Sequence, residues 1–477
     1  MLATIRRTGV LIGALGWLGT GVAAAQAPST SLTLLDAIKE AVDTNPEVLR
    51  AREQIEEFNL QVRNARSEAL PTVDFTASFQ RTRDPGLRNS QFFSRLGELP
   101  PEALNPFFFG TYFYQLSVEQ PLYEFGRVGH ALEAARQQLR AVQADLQAAE
   151  NRIARDVAVA YYGLLLAHAR RAVFESQQIT RERQLSFVRA RLDLEDATRL
   201  DVLNSEVSLA NLRPDIITAD NAIRVAGARL NETLGRPVSI PIGSLEPLRM
   251  PDPLPVVPPV AALLEIATQV RPELRRFGLD RDVLQEAELA TRADTLPQVS
   301  GFASVGLNSF AFQNLVKPTF HNWNAGITVR WTLFDGFKTA SAMDTFASQR
   351  RQSEHLEQSF RAELERELER VRGDWQRAVE TLDVTTLTVG QAREAERVAE
   401  ESFQYGAATV LDVLQSQQAL QQSELGRVTA NHDALAALAE LKTLIGVRAD
   451  APHVVLTTDP VQRTTLLAAL YAPPADQ

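Results

Sequence analysis

The chain repeats itself. Residues 197–205 read ATRLDVLNS and residues 408–416 read ATVLDVLQS, an offset of 211. The same offset relates PLYEFGR at 121–127 to TLFDGFK at 332–338, and Leu234-Gly235 to Ile445-Gly446. Upstream, NPEV at 45–48 leads to ALPTVDFTAS at 69–78, and RPEL at 271–274 leads to TLPQVSGFAS at 295–304, both offset by 226. The offset changes once, by 15 residues, so the first copy has a longer loop after its first strand. Whatever the fold is, it is built from two copies of one supersecondary unit.

Proline marks the boundaries. Eight prolines fall between Pro237 and Pro259. Such a segment forms neither helix nor central strand and reads as an extended crossover. The expected organisation is a signal peptide (1–25), a first repeat (26–236), the crossover (237–259), a second repeat (260–447) and a tail (448–477). Arg6 and Arg7 precede an uncharged run that ends in Ala23-Ala24-Ala25, the pattern of a cleaved secretory signal. No cysteine follows the cut, which excludes an N-terminal lipid. The absence of cysteine also removes disulfides, zinc–thiolate sites and iron–sulfur clusters. A net charge of −10 argues against a nucleic-acid partner.

Within each copy the order is helix, strand, loop, strand, long helix, tip, returning helix. Asn45 followed by Pro46 is an N-cap and first-turn pair, and Pro71 ends the helix before it. Pro272 and Pro297 punctuate the second copy in the same way. The strands alternate. Val73, Phe75, Ala77 and Phe79 oppose Asp74, Thr76, Ser78 and Gln80. Trp323, Ala325, Ile327, Val329 and Trp331 oppose Asn322, Asn324, Thr328 and Arg330. In the stretch 298–308 the polar face is interrupted by Phe302. Alternation fits a tilted transmembrane stave or a soluble sheet with one wet face.

From Arg127 no proline or obvious breaker occurs for about 65 residues. Leu132, Ala135, Leu139, Val142, Leu146, Ala149 and Ile153 form a coiled-coil seam. Such a helix is roughly 100 Å long. The returning helix, 198–234, and the front helix, 46–69, together nearly equal it, so they stack end to end beside it. The second copy repeats this with 338–404, 409–445 and 272–295. Four strands cannot close a barrel, and an open edge is not tolerated in lipid. If the strands span a membrane, the chain must oligomerise, with cyclic symmetry as the default.

The doubled LPxV strand starts, PLYEFGR, TLFDGF and the doubled LDVL phrase occur twice and in order. With them, the chain resembles the TolC family of bacterial outer-membrane efflux and secretion channels, over nearly all of residues 32–447. The resemblance implies a fold that is mainly α with membrane β. Long antiparallel coiled-coil helices form a periplasmic α-barrel, and four strands per protomer join a trimeric twelve-stranded outer-membrane β-barrel. It implies a homotrimer contacting outer-membrane lipid, a periplasmic adaptor (membrane fusion) protein, and an inner-membrane RND or ABC transporter. It implies no enzyme activity and no cofactor. The expected function is the exit duct of a tripartite system for small toxic compounds. The alternatives are the duct of a type I protein secretion system, a periplasmic adaptor, or a coiled-coil stalk.

The repeated phrase then lies at the hairpin tips, farthest from the strands. Thr198-x-x-Asp201 and Thr409-x-x-Asp412 each fit a capping box. Symmetry would also turn Asp201 and Asp412 into carboxylate rings at a periplasmic gate, with uncharged Asn204 and Gln415 one turn on. On that reading Asp412→Ala raises the conductance of the resting channel; unchanged conductance leaves the cap as its sole role. Glu195, Ala197, Thr198, Tyr405, Gly406, Ala408 and Thr409 are the expected adaptor contacts. Glu195 stands where the second copy has Gly406, so the first turn is expected to be built differently. Ala408 stands where some family members carry a gate-locking arginine, a role open to Arg191 or Arg199. The six histidines show no metal-ligand spacing.

Overall fold

The computed structural model describes residues 31–83, 108–247, 250–309 and 317–451. The expected signal peptide and most of the expected tail lie outside these residues.

Each copy opens with two helices. In the first they are α1 (Leu34–Thr44) and α2 (Pro46–Ser67). Strands β1 (Thr72–Arg83) and β2 (Phe108–Tyr123) follow, then α3 (Arg127–Asp193), α4 (Arg199–Ala210) and α5 (Leu212–Thr233). The second copy has α6 (Val260–Val270), α7 (Pro272–Ala293), β3 (Gln298–Ser309) and β4 (His321–Arg330). It ends with α8 (Lys338–Gln404) and α9 (Val410–Leu444). The long helices α3 and α8 have 67 residues each, roughly 100 Å. None of the seven seam residues of α3 is exposed. Among the described residues no helix is long and apolar enough to cross a membrane.

The four strands form one antiparallel sheet in the order β1-β2-β3-β4. Register puts Val73 opposite Val118, Ala303 opposite Val118, and Ala325 opposite Ala303. At this level one face is apolar across all four strands, and the other carries Asp74, Ser117, Ser304 and Asn324 in a row. The apolar face is not packed on a core: Phe75 is 69% exposed and Trp323 80%. A bulge between Pro121 and Tyr123 shifts the register of β2 on β3, where proline cannot donate to the ladder.

Near the sheet, α3 lies between α2 and α7, and α7 between α3 and α8. Near the tips, α3 lies between α4–α5 and α9, and α9 between α3 and α8. The molecule is thus one wall. Its lateral edges are β1, α2 and α5 on one side, and β4 and α8 on the other. The core sits at mid-height, where α1 sets Ala37, Ile38 and Ala41 against Ile153, Val157 and Tyr161 of α3. In the second copy α6 sets Leu263, Ile266 and Ala267 against Leu364, Leu368 and Val371 of α8.

Two features depart from the sequence expectation. Helices α1 and α6 were not foreseen. Each has 11 residues, too few for an isolated helix, and is held by its buried face against a long helix. The first returning helix is not continuous but broken at Asn211. The reason is Pro214, whose ring excludes the carbonyl of Ala210 and removes one hydrogen bond. The second copy has Leu425 at that point and runs unbroken.

Candidate functional site: the hairpin tips

Each tip is a tight turn between a long helix and its return. In the first, the Asp196 N–H donates to the Arg191 carbonyl (2.9 Å) and the Glu195 N–H to Leu192 (3.0 Å). In the second, the Ala407 N–H donates to Ser402 (2.8 Å) and the Gly406 N–H to Phe403 (3.1 Å). These are the same bonds at equivalent positions, so the expectation of a differently built first turn is corrected. The turn requires a left-handed residue after the helix. Gly406 takes it at φ 75°, and Glu195 is held there at φ 63°. A side chain in that region is strained by about 1–2 kcal/mol.

Both capping boxes are formed. The Thr198 hydroxyl accepts from the Asp201 N–H at 3.2 Å, and the Asp201 carboxylate accepts from the Thr198 N–H at 2.9 Å. For Thr409 and Asp412 the distances are 3.3 and 2.8 Å. The Thr409 hydroxyl and N–H hold the Asp412 carboxyl below its ordinary pKa. Asp412 is exposed and Asp201 half-buried; Asn204 and Gln415, one turn on, are both exposed. Tyr405 is 88% exposed at the extreme tip.

The two tips are joined. Leu185, Val188, Val202, Phe403, Val410 and Val413 form a small apolar core, with Ala197 and Ala408 packed against it. Arg191 reaches across from α3. Its Nη1 donates to the Phe403 carbonyl at 2.8 Å, and its guanidinium lies 5.0 Å from the Phe403 ring centre. The Arg199 side chain makes no hydrogen bond or ion pair among the described residues. Of the two arginines considered from sequence, Arg191 is the one that ties the hairpins.

Above this core lies a buried polar layer that sequence reasoning missed. Arg181 donates to the Ser208 carbonyl and to the Gln421 side chain, both at 2.7 Å, linking α3 to α4 and α9. Burial pulls its pKa down. Across the layer, Glu396 on α8 is pushed up to about 7, first by burial and then by Glu400 and Glu424, with Arg393 opposing. Glutamines and arginines spaced along a polar helix read as its wet face. Only the α3–α9 contact shows that part of this face is enclosed. Among the described residues no cluster suits a metal ion.

A family model described as "Outer membrane efflux protein" matches residues 37–236 and 263–447. The chain belongs to that family. It is an outer-membrane exit duct with a large periplasmic helical part. Among curated relatives it is similar to the alkaline protease secretion protein AprF of Pseudomonas aeruginosa, 24% identical over 72% of this chain and 71% of that one. It is also similar to the outer membrane protein TolC of Vibrio cholerae, 21% identical over 87% and 90% of the two chains. Among solved structures the channel CusC aligns with a TM-score of 0.73 at 18% identity, covering 87% of this chain and 92% of that one. The likeness of fold extends through both repeats, sheet and helices together.

Proposed function

We propose that three copies close into one tube that passes small toxic compounds out of the cell. The observation that carries this is the pair of unfinished edges. Among the described residues the outer strands β1 and β4 are both unpaired on one side. The outermost helices continue them: Ile217 on α5, and Leu356, Val384 and Leu387 on α8, are exposed apolar residues. A second copy set edge to edge covers both layers at once. Three copies, the number the family resemblance implies, give twelve strands. The apolar sheet face then meets outer-membrane lipid, and the helices form the periplasmic tunnel.

In this reading the two repeats (26–236 and 260–447), joined by the crossover, supply alternate hairpins around the tube. Asp201, Asp412, Asn204 and Gln415 face the periplasmic entrance. Glu195, Ala197, Thr198, Tyr405, Gly406, Ala408 and Thr409 meet a periplasmic adaptor, above an inner-membrane RND or ABC transporter. Arg191 holds the entrance closed at rest. The duct catalyses nothing and takes no cofactor; specificity belongs to the pump.

The test is accumulation of dyes and drugs in a strain lacking the gene, with and without a plasmid copy. Accumulation that rises on deletion and falls on restoration supports small-molecule efflux. The similarity to AprF, a protein named for protease secretion, favours a second reading as the duct of a type I protein secretion system. Unchanged accumulation, with the protein still in the outer membrane, moves the reading there.

A further inference from the structure

Near its helical end the polar face of the sheet carries an aromatic that breaks the pattern, Phe302; Phe113, between Ser78 and Asn308, is a second one farther from the helices. Phe302 on β3 pairs with Glu119 of β2 and with Gly326 of β4. Directly opposed residues share a face. Phe302 therefore stands among Ser300, Ser304, Thr328 and Asn324, not among the lipid-facing Val299, Ile327 and Trp323.

The ring does not stand upright. A Cβ placed on Gly326 would lie 3.0 Å from the Phe302 Cζ, 3.2 Å from Cε1 and 3.9 Å from Cε2. Neighbouring strands are about 4.8 Å apart. A phenyl ring perpendicular to the sheet would hold its Cζ well above the next strand. To come this close, the ring must lie sideways across β4, in the space that glycine leaves empty. Gly326 has ordinary negative-φ backbone, so no turn or bulge accounts for it. A glycine within a strand otherwise weakens it.

We propose that Phe302 and Gly326 together set the bore of the exit barrel, with glycine keeping the ring flat against the wall. This rests on the reading above that the polar face lines the duct. Three-fold repetition places three such rings at one height, an apolar band in a polar lumen. Any side chain at residue 326 lifts each ring toward the axis. A lifted ring narrows the path for bulky cargo before it affects small cargo.

The chain contains no cysteine, so a single introduced thiol can be read without background. Gln298→Cys lies on the polar face, closer to the helices than Phe302. Maleimides of graded size, added outside intact cells, must pass the level of Phe302 to reach it. With Gly326→Val added, labelling by a bulky maleimide should slow about tenfold, or about 1.4 kcal/mol of added barrier, while a small one is little changed. Adding Phe302→Ala to that variant should restore the bulky reagent. Slowing that Phe302→Ala does not relieve would overturn the proposal, because strand damage would then be the cause. No slowing at all would overturn it too. Val299→Cys on the opposite face separates the two layers of the argument. If Val299→Cys labels and Gln298→Cys does not, the assignment of the inner face fails, and the proposal with it.

Discussion

At their roots the two repeats make the same bonds with different side chains; at their tips they share a backbone turn and a capping box but differ in the side chain that ties one hairpin to the other. Asn45 donates to the Thr233 carbonyl at 2.9 Å, and Arg271 donates to the equivalent Leu444 carbonyl at 2.9 Å. Asn231 anchors the strap that follows its helix through the Ile240 carbonyl at 2.6 Å. Lys442, at the equivalent place, does so through Ala451 at 2.6 Å. At the tips, Arg191 ties the first hairpin to the second, and its equivalent is Ser402, which is too short to return the bond. The proline break also falls only in the first copy. The lesson is that root geometry is fixed twice over, whereas asymmetry collects at the tips.

The largest effect should come from breaking the root. A Cβ on Gly235 would stand 2.7 Å from the Thr44 carbonyl oxygen, and one on Gly446 2.7 Å from the Arg271 Cα. Both glycines have positive φ. Alanine at either should cost about 2–4 kcal/mol and reduce the amount of assembled protein in the outer membrane. Gly406 faces open space, so Gly406→Ala should cost only about 1 kcal/mol. Equal loss at all three positions, read from thermal unfolding in detergent, would erase the distinction between root and tip.

Next in size is Arg191→Ala. It removes a charged hydrogen bond worth about 1.5–3 kcal/mol and leaves the Phe403 carbonyl without that donor. Amide exchange around residues 403–410 should speed up, and resting conductance should rise. Ser402→Ala should do neither. The reverse change sharpens the comparison: Glu195→Gly relieves left-handed strain and should slow exchange at the first tip by about 1 kcal/mol.

The last effect, which solvent screening of the half-buried Glu396 reduces most, is a pH dependence in the second hairpin. The folded-state pKa of Glu396, about 7, is above its ordinary 4.5. A carboxyl raised on folding gives stability that is complete at acid pH and lost as pH rises through the folded pKa. Packing of α8 on α9 near the tip should therefore loosen as pH rises from about 4.5 to about 7 and change little above that. Glu396→Gln should flatten that profile in hydrogen exchange; an unchanged profile would assign the effect elsewhere.

Much of this was legible in the sequence because duplication prints each signal twice. Proline at 46 and 272 marked two helix starts, and period-two alternation marked the staves. Both Thr-x-x-Asp caps were readable because a capping box is local in sequence. Helices α1 and α6 were not seen because their stability comes from long-range burial. Pro214 was passed over inside a strong helical pattern. Glu195 was expected to change the turn, but the surrounding hydrogen bonds outweigh a small local strain. Arg191 could be nominated from sequence as one of two candidates, yet its reach to Phe403 depends on how two hairpins 212 residues apart lie together.

The most direct test of the account is whether β1 of one copy meets β4 of another. Cysteine pairs stepped along the two strands, beginning with Thr76→Cys and Asn324→Cys, can be oxidised in intact outer membranes. The account predicts a covalent ladder that ends at three chains. A chain that stays single at every register, or a ladder that runs past three, would contradict it.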